Sequence, residues 1–401
     1  MRLDCCTMDR NPSWFERFFS EGEAFPSSGF TVVSPGRVNL IGEHTDYNEG
    51  LVLPMAIEPC IRIEVMPRRD RRIILSTGRS GEPVTEVDFG LPLRAADHCG
   101  RWTAYPCGVF AGFQRLGWEI PGFEARVSAT LPAGGGLSSS AALEVGFATA
   151  VEVLCGKVLP PLEKALLAQR AEHEFAGVPC GIMDPFAVTF GRAANAMLLD
   201  CRTMEVRYVP MDSATVSVLI VHSGVKHRLA DGEYAKRRAE CEAAARLLGV
   251  DSLRDVSPSQ WTNVEGTLPL LERRRARHVI SEHQRTLHFV EALEAGDWCV
   301  AGEAMYGSHA SLSEDYQVSC RELDLLVELA RGIPGVFGCR MTGGGFGGCV
   351  VALVASERVE SVRAVLGKGY QYVTGIDPVM VVTRAADGAR VLPYARACEL
   401  V

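Results

Sequence analysis

An α+β fold in two domains is what this sequence predicts, from three observations. The chain has 401 residues, and a prior of about one domain per 150 residues gives two or three domains. Hydrophobic residues make up 47% and charged residues 22%, ordinary globular usage that excludes extended disorder. Strand-like and helix-like segments are interleaved in both halves, the pattern of α+β domains.

The elements follow in order. Phe30–Ser34, Cys60–Met66 and Arg72–Ser76 are short β-branched runs between Gly, Pro or charged turns and predict strands. Helices are expected over Ser138–Leu154 and Pro161–Phe175, the second opened by a proline. Asn195–Asp200 is another expected strand. The pattern breaks at Pro210 and restarts with the apolar run Thr215–Val221, dividing the chain into expected domains 1–210 and 211–401. In the second half, Cys241, Ala244, Ala245 and Leu248 recur at helical spacing, as do Ile280, Leu287, Val290 and Leu293. Leu323–Leu329 predicts a further helix, and Cys349–Ala355 and Val379–Thr383 predict strands.

Charge and composition remove several function classes. With 41 Lys and Arg against 49 Asp and Glu, the formal charge is −8, which argues against a dedicated nucleic-acid binder. The uncharged windows Val127–Leu143 and Met341–Ser356 are shorter than a bilayer span and carry central Gly clusters, so no membrane segment is expected. The opening residues MRLDCCTMDRNP lack the apolar stretch of a secretory signal. The 14 cysteines are scattered without a C-x-x-C pair, and the nine histidines form no H-E-x-x-H. These features predict small buried thiols, no zinc site and a reducing, cytoplasmic setting.

Chemistry concentrates in a few segments. Residues 35–56, PGRVNLIGEHTDYNEGLVLPMA, pack Arg37, Glu43, His44 and Asp46 into one turn-rich stretch bracketed by Val38, Leu40, Ile41, Leu51 and Leu53. One charged loop residue is usually just solvated. Four polar groups between apolar flanks suit a polyhydroxylated ligand, whose hydroxyls need donors and acceptors at fixed angles. Residues 131–143, LPAGGGLSSSAAL, run into a helix. Their glycines permit close backbone approach, and the helix start offers unpaired N–H groups to a phosphate. Ser138, Ser139 and Ser140 can cap the helix, bond phosphate oxygens or ligate Mg²⁺. No Gly-Lys-Ser/Thr follows, so this is no Walker A loop.

Gly343, Gly345 and Gly348 in MTGGGFGG formally match G-x-G-x-x-G. They precede a strand-like run rather than opening a helix, the wrong context for a dinucleotide site. The segment EHEFAGVPCGIMD carries Glu172 on a predicted helix and Asp184 in a turn after Gly181. Beside a phosphate loop, one acid could ligate Mg²⁺ while the other orients or deprotonates a hydroxyl.

Together these segments resemble the motifs of the GHMP small-molecule kinases and, within them, the galactokinases. Residues 35–56 resemble the galactokinase signature, which is highly specific around GEHTDYN; LPAGGGLSSSAAL resembles the superfamily's phosphate-binding motif, and RMTGGGFGG its third motif. PCGIMD, VKHRLADGEYAKRRAEC and SHASLSEDYQVSC extend the similarity over nearly the whole chain. The resemblance implies a two-domain GHMP kinase fold with the active site in the interdomain cleft. By position it implies Asp184 as catalytic base and Arg37 as its partner at the transferred phosphoryl group. It implies sugar contacts from Glu43, His44, Asp46, Gly181 and Tyr234. Gly134, Gly135, Gly136, Leu137, Ser138 and Ser139 correspond to the triphosphate cradle, and Ser140 and Glu172 to the magnesium ligands. Trp102 and Tyr105 correspond to adenine-pocket aromatics, with simple core packing as the alternative.

The implied activity is ATP- and Mg²⁺-dependent phosphorylation of the anomeric hydroxyl of galactose. Its partners are then a small-molecule sugar and MgATP, with no nucleic acid or membrane and a monomer as default. A kinase for a galactose derivative, or a sensor that binds sugar and nucleotide without turnover, are the alternatives. The intact Ser138–Ala142 run favours an enzyme, and the absence of a G-x-S-x-G elbow disfavours a serine hydrolase. Glu49 and Pro185 depart from the family pattern, Pro185 standing where Gln is usual. Pro185 predicts a helix over Pro185–Phe190 with Asp184 as its N-cap, its carboxylate near the N–H groups of Phe186 and Ala187.

Overall fold

The computed structural model describes residues 2–3, 29–78, 82–88, 92–132, 136–226 and 232–393. In chain order the elements are β1 (Phe30–Asn39), β2 (Leu51–Val52), β3 (Pro54–Pro67), β4 (Arg72–Thr77), β5 (Thr85–Asp88), α1 (Ala104–Arg115) and β6 (Phe123–Ala129). Next come α2 (Ser139–Cys155), α3 (Pro161–Ala171), α4 (Met183–Phe190), β7 (Asn195–Asp200), β8 (Val206–Pro210) and β9 (Val216–Lys226). The remainder is α5 (Glu233–Leu248), α6 (Pro258–Val264), α7 (Leu270–Ala295), α8 (Trp298–Ser311), α9 (Arg321–Arg331), β10 (Val336–Thr342), β11 (Gly347–Ala355), α10 (Val359–Thr374), β12 (Val379–Thr383) and β13 (Arg390–Pro393).

The largest sheet has the strand order β13-β1-β3-β6-β4-β5. Its inward faces pack on α1 and α2 through Phe30, Val32, Ile63, Phe110, Phe123 and Phe147, all buried. Residues 141–154 of α2 are buried all round, and such a helix belongs inside a core rather than on its surface. Its buried Glu152 is paired at 2.6 Å with Lys164 of α3, which locks the two helices together. The second large sheet, β10-β11-β9-β12, is antiparallel throughout. It packs on α9 through the single apolar face Leu323, Leu326, Val327 and Ala330.

Two expectations change. The predicted helix over Pro161–Phe175 is α-helical only to Ala171, and Glu172–Ala176 form one π-helical turn closed by Gly177 in the left-handed region. A widened turn of this kind is frequent at functional sites. The 1–210/211–401 division is also crossed, because β13 runs back to pair with β1 in the register Val391–Val32. An antiparallel return satisfies the backbone groups of the β1 edge, so the last described strand belongs to the first sheet.

Candidate active site

The loop that carries Glu43, His44 and Asp46 lies between β1 and β2. Gly42 turns it with φ +90, where a Cβ would fall 2.4 Å from the Leu51 carbonyl oxygen; only glycine fits. Thr45 Oγ1 then lies 2.7 and 2.8 Å from the Gly42 and Leu51 carbonyl oxygens and shares its one proton between them. The loop is gripped from the far half of the chain. Glu282 of α7 accepts the Gly42 N–H at 3.0 Å, His278 Nε2 donates to the Glu43 carbonyl at 3.0 Å, and Ser252 Oγ donates to the Asn48 carbonyl at 2.8 Å. Arg340 of β10, fully buried, pairs with Glu43 at 3.0 Å and donates to the Asn39 carbonyl at 2.9 Å.

A register shift in β1 between Pro35 and Arg37 leaves Gly36 out of the pairing, and Arg37 resumes it opposite Ala56; such bulges are common beside active sites. The Arg37 Nε and Nη2 donate to the two carboxylate oxygens of Asp184 at 2.7 Å each, and its Nη1 donates to the Gly136 carbonyl at 2.6 Å. Ser138 also donates to Asp184. Ser138 has φ 58 at the start of α2, an unusual conformation for a residue with a side chain. It points its hydroxyl at Asp184 instead of capping the helix. Strain of this kind persists where surrounding contacts impose it, commonly at functional sites. Gly343 of the third Gly-rich segment comes against Gly136, its virtual Cβ lying 3.0 Å from the Gly136 carbonyl oxygen.

These groups share one cavity of about 250 Å³, lined by Arg37, Glu43, His44, Asp46, Gly136, Leu137, Ser138, Ser139, Ser140, Glu172, Gly181, Asp184 and Tyr234. A neighbouring cavity of about 450 Å³ contains Trp102 and Tyr105 and shares Ser139 and Ser140 with the first. The predicted residues therefore converge, except Gly134 and Gly135, which lie outside the described residues. Gly181 is required by close packing: a Cβ there would meet the Asp46 carboxylate.

Electrostatics mark the cavity as acidic and partly uncompensated. Burial, then the charge of Asp184, pushes Asp46 up to about 7. Burial raises Glu43 against the pull of Arg340. Burial and Asp184 likewise raise Glu172, which accepts from the Cys180 thiol at 3.2 Å and from Ser140. His44 is driven down to about 3 by burial and by the neighbouring positive groups, so it is neutral.

Three features escape the sequence patterns. Glu144, one turn beyond Ser140 on α2, is fully buried with neither carboxylate oxygen hydrogen-bonded. Burial, followed by Glu172 and Asp184, raises it well above the carboxylate range. The four-residue spacing from Ser140 was the available signal. Arg340 is a lone cation in an apolar strand, a visible oddity without a visible partner. Glu282 is held at about 2 against its burial, chiefly by Arg285 and His278, and nothing local distinguishes it from other helix acids.

One expectation is corrected. α4 begins at Met183 with Ile182 as its N-cap, so Asp184 sits inside the first turn and does not cap the helix. The Phe186 N–H bonds the Ile182 carbonyl at 3.2 Å, and the carboxylate goes to Arg37 and Ser138. Pro185 is tolerated there because first-turn N–H groups have no helical partner to lose. Glu49, the other departure, pairs with Arg202 at 2.6 Å in solvent.

The chain matches three family descriptions: the galactokinase galactose-binding signature over residues 14–67, the GHMP kinases N terminal domain over 104–192, and the GHMP kinases C terminal over 289–371. It is 44% identical to galactokinase of Homo sapiens over 90% of this chain and 92% of that protein. It is 45% identical to galactokinase of Chloroflexus aurantiacus over 85% of this chain and 88% of that protein. The crystal structure of Lactococcus lactis galactokinase complexed with galactose superposes with a TM-score of 0.85 at 34% identity, covering 94% of this chain and 97% of that one. A mevalonate kinase at 20% identity and TM-score 0.65 shares the fold. This chain belongs to the galactokinase family of GHMP kinases.

Proposed function

We propose that this enzyme transfers the γ-phosphoryl group of ATP to the anomeric hydroxyl of galactose, giving galactose 1-phosphate. The observation that carries the reading is the shared cavity, where the sugar-signature residues, the serine loop and the Arg37–Asp184 pair face one another. A carboxylate offers about four acceptor sites. Arg37 and Ser138 occupy three of those on Asp184, leaving one for a substrate hydroxyl. Asp184 is thus oriented to take the hydroxyl proton, and Arg37 stands where phosphoryl charge develops. Phosphoryl transfer asks mainly for such positioning and charge stabilisation. Glu43, His44, Asp46, Gly181 and Tyr234 form the sugar wall. Ser138, Ser139 and the start of α2 face the phosphates, and Trp102 and Tyr105 flank the space for the adenine.

The residues present fit a magnesium ion. Among the described residues, no three His, Cys, Asp or Glu side chains converge to hold a metal by themselves. Ser140 and Glu172 supply two hard oxygens, the small protein share that suits Mg²⁺ completed by nucleotide phosphates and water. Glu172 is raised by burial and by Asp184, and the buried Glu144 carboxylate has no hydrogen-bond partner; a nearby cation would favour the ionised form of both. When bound, the ion would neutralise phosphate charge. No described helix is long and apolar enough to cross a membrane, and no described cysteine is in a disulfide. We assign the enzyme to the reducing cytoplasm.

An ADP-release assay over a hexose panel tests the reading. Turnover with galactose and at least tenfold poorer kcat/KM with its epimer glucose is expected, because buried polar groups lose their partners in the wrong epimer. Selective turnover of an N-substituted galactose would reassign the enzyme to a derivative. Binding of sugar and ATP without ADP release would make it a sensor.

A further inference from the structure

His44 is buried at the cavity wall with φ 62; its ring lies against the Gly344 backbone, to which it makes a hydrogen bond, and its Nε2 has no other partner among the described residues. Its other nitrogen heads a chain of hydrogen bonds: Nδ1 lies 2.9 Å from the Tyr47 hydroxyl, that hydroxyl 2.8 Å from the Tyr316 hydroxyl, and the latter 3.0 Å from the Cys241 sulfur. The chain is firmly mounted. Tyr316 closes the π-helical turn Leu312–Tyr316, and its carbonyl accepts from Arg237 Nε at 2.8 Å. Tyr234, Arg237 and Cys241 follow at spacings of three and four on α5, so they share one face of that helix. The rings of Tyr234 and Tyr316 stand 5.7 and 5.0 Å from the imidazole.

A neutral imidazole carries one N–H, and its location decides whether the nitrogen facing the pocket donates or accepts. Each hydroxyl in the chain has one proton, so all links run in one direction. If Nδ1 donated, the chain would end with Tyr316 donating to sulfur, a weak acceptor. In the opposite direction the thiol donates to Tyr316, Tyr316 to Tyr47, and Tyr47 to Nδ1, so every proton ends on oxygen or nitrogen. Burial keeps Cys241 protonated by pushing it up to about 11, and Asn48 already hydrogen-bonds its sulfur. We propose that Tyr47, Tyr316 and Cys241 are positioning residues that fix His44 as the Nε2–H tautomer, so that it presents a donor to a sugar hydroxyl oxygen. The identity of that hydroxyl's owner rests on the galactose reading; the tautomer does not.

Two measurements test it on the full chain. With ¹⁵N-labelled histidine, and the His44 signals assigned by their loss in His44→Gln, NMR of the ligand-free protein should show Nε2 protonated and Nδ1 bare. A protonated Nδ1 overturns the proposal. Tyr316→Phe keeps the ring and removes the relay hydroxyl, and should raise KM for galactose roughly three- to tenfold, the worth of one hydrogen bond, with KM for ATP and kcat unchanged. Cys241→Ser should preserve the wild-type galactose KM, while Cys241→Ala should raise it. Equal rises in both KM values, or none, would make the chain merely structural. Failure of the hexose assay with the Nε2–H tautomer intact would strike the galactose reading alone.

Discussion

The two walls of the cavity, proposed above for phosphate and for sugar, are built in opposite ways. On the phosphate wall, Ser138 and Asp184 are 46 positions apart and both belong to the first half of the chain. Their neighbour Ser140 shares the start of α2, and Glu172 comes from the turn that ends α3. On the sugar wall, Glu43 is held by Arg340 across 297 positions and Gly42 by Glu282 across 240. The first wall is a motif that folds locally. The second is a loop with local bonds of its own, Thr45 to Gly42 and Leu51, that is further held by side chains of the C-terminal half. The proposed sugar wall is thereby held by several side chains of the C-terminal half, whereas that half meets the phosphate loop through Gly343 against Gly136.

The largest expected effect comes from the junction of the two walls. Asp184→Asn should lower kcat by about 10²–10⁴-fold, the usual worth of general-base help, while galactose and ATP binding change little by calorimetry. Near wild-type kcat would remove Asp184 from the mechanism. Next is the sugar wall's remote support. Arg340→Met leaves Glu43 as an unpaired buried charge and should cost about 3–5 kcal/mol of stability in chemical denaturation. The same variant should raise KM for galactose more than KM for ATP. A matched rise in both would erase the contrast between the walls.

The legibility of the molecule divides along the same line. Strands such as Asn195–Asp200 and Val379–Thr383 were readable to the residue, because short apolar runs between polar and turn-forming residues carry their own signal. The residues converging on the cavity were named from contiguous motifs. What the sequence hid was long-range or geometric. Glu172–Ala176 looks helical by pattern but widens into a π turn. β13 pairs with a strand more than 350 positions earlier. Tyr316, Cys241, His278 and Glu282 look like ordinary helix residues until the fold brings them under the loop. Asp184 as an N-cap was a sound local inference, overridden because Arg37 and Ser138 compete for its carboxylate.

A smaller effect concerns pH. Asp46, pushed up to about 7 from an ordinary 3.8, stabilises the fold fully only below that ordinary value. The stabilisation is lost as pH rises through about 7. In the ligand-free enzyme, Asp46→Asn should therefore match the wild type near pH 4 and exceed its stability above pH 7. The gain should be on the order of 1–2 kcal/mol, reduced from the full shift because Asp46 faces the cavity. Thermal melts across pH 4–8 check this, and a constant difference would show that Asp46 is ionised throughout. The smallest effect is expected at Pro185. Pro185→Gln should change kcat by less than about tenfold, since the proline occupies a first-turn position and Asp184 takes its orientation from Arg37. A gain of several decades would mean that the natural enzyme is impaired at this site.

The central claim is that the two walls meet so that phosphate is delivered to the sugar's anomeric oxygen. Phosphorus NMR of a reaction holding only the enzyme, Mg²⁺, ATP and galactose tests it most directly. The account predicts one new sugar phosphate resonance coupled to the anomeric proton, growing in step with ADP. Phosphate on another hydroxyl, or ATP loss to inorganic phosphate with the sugar unchanged, would contradict it.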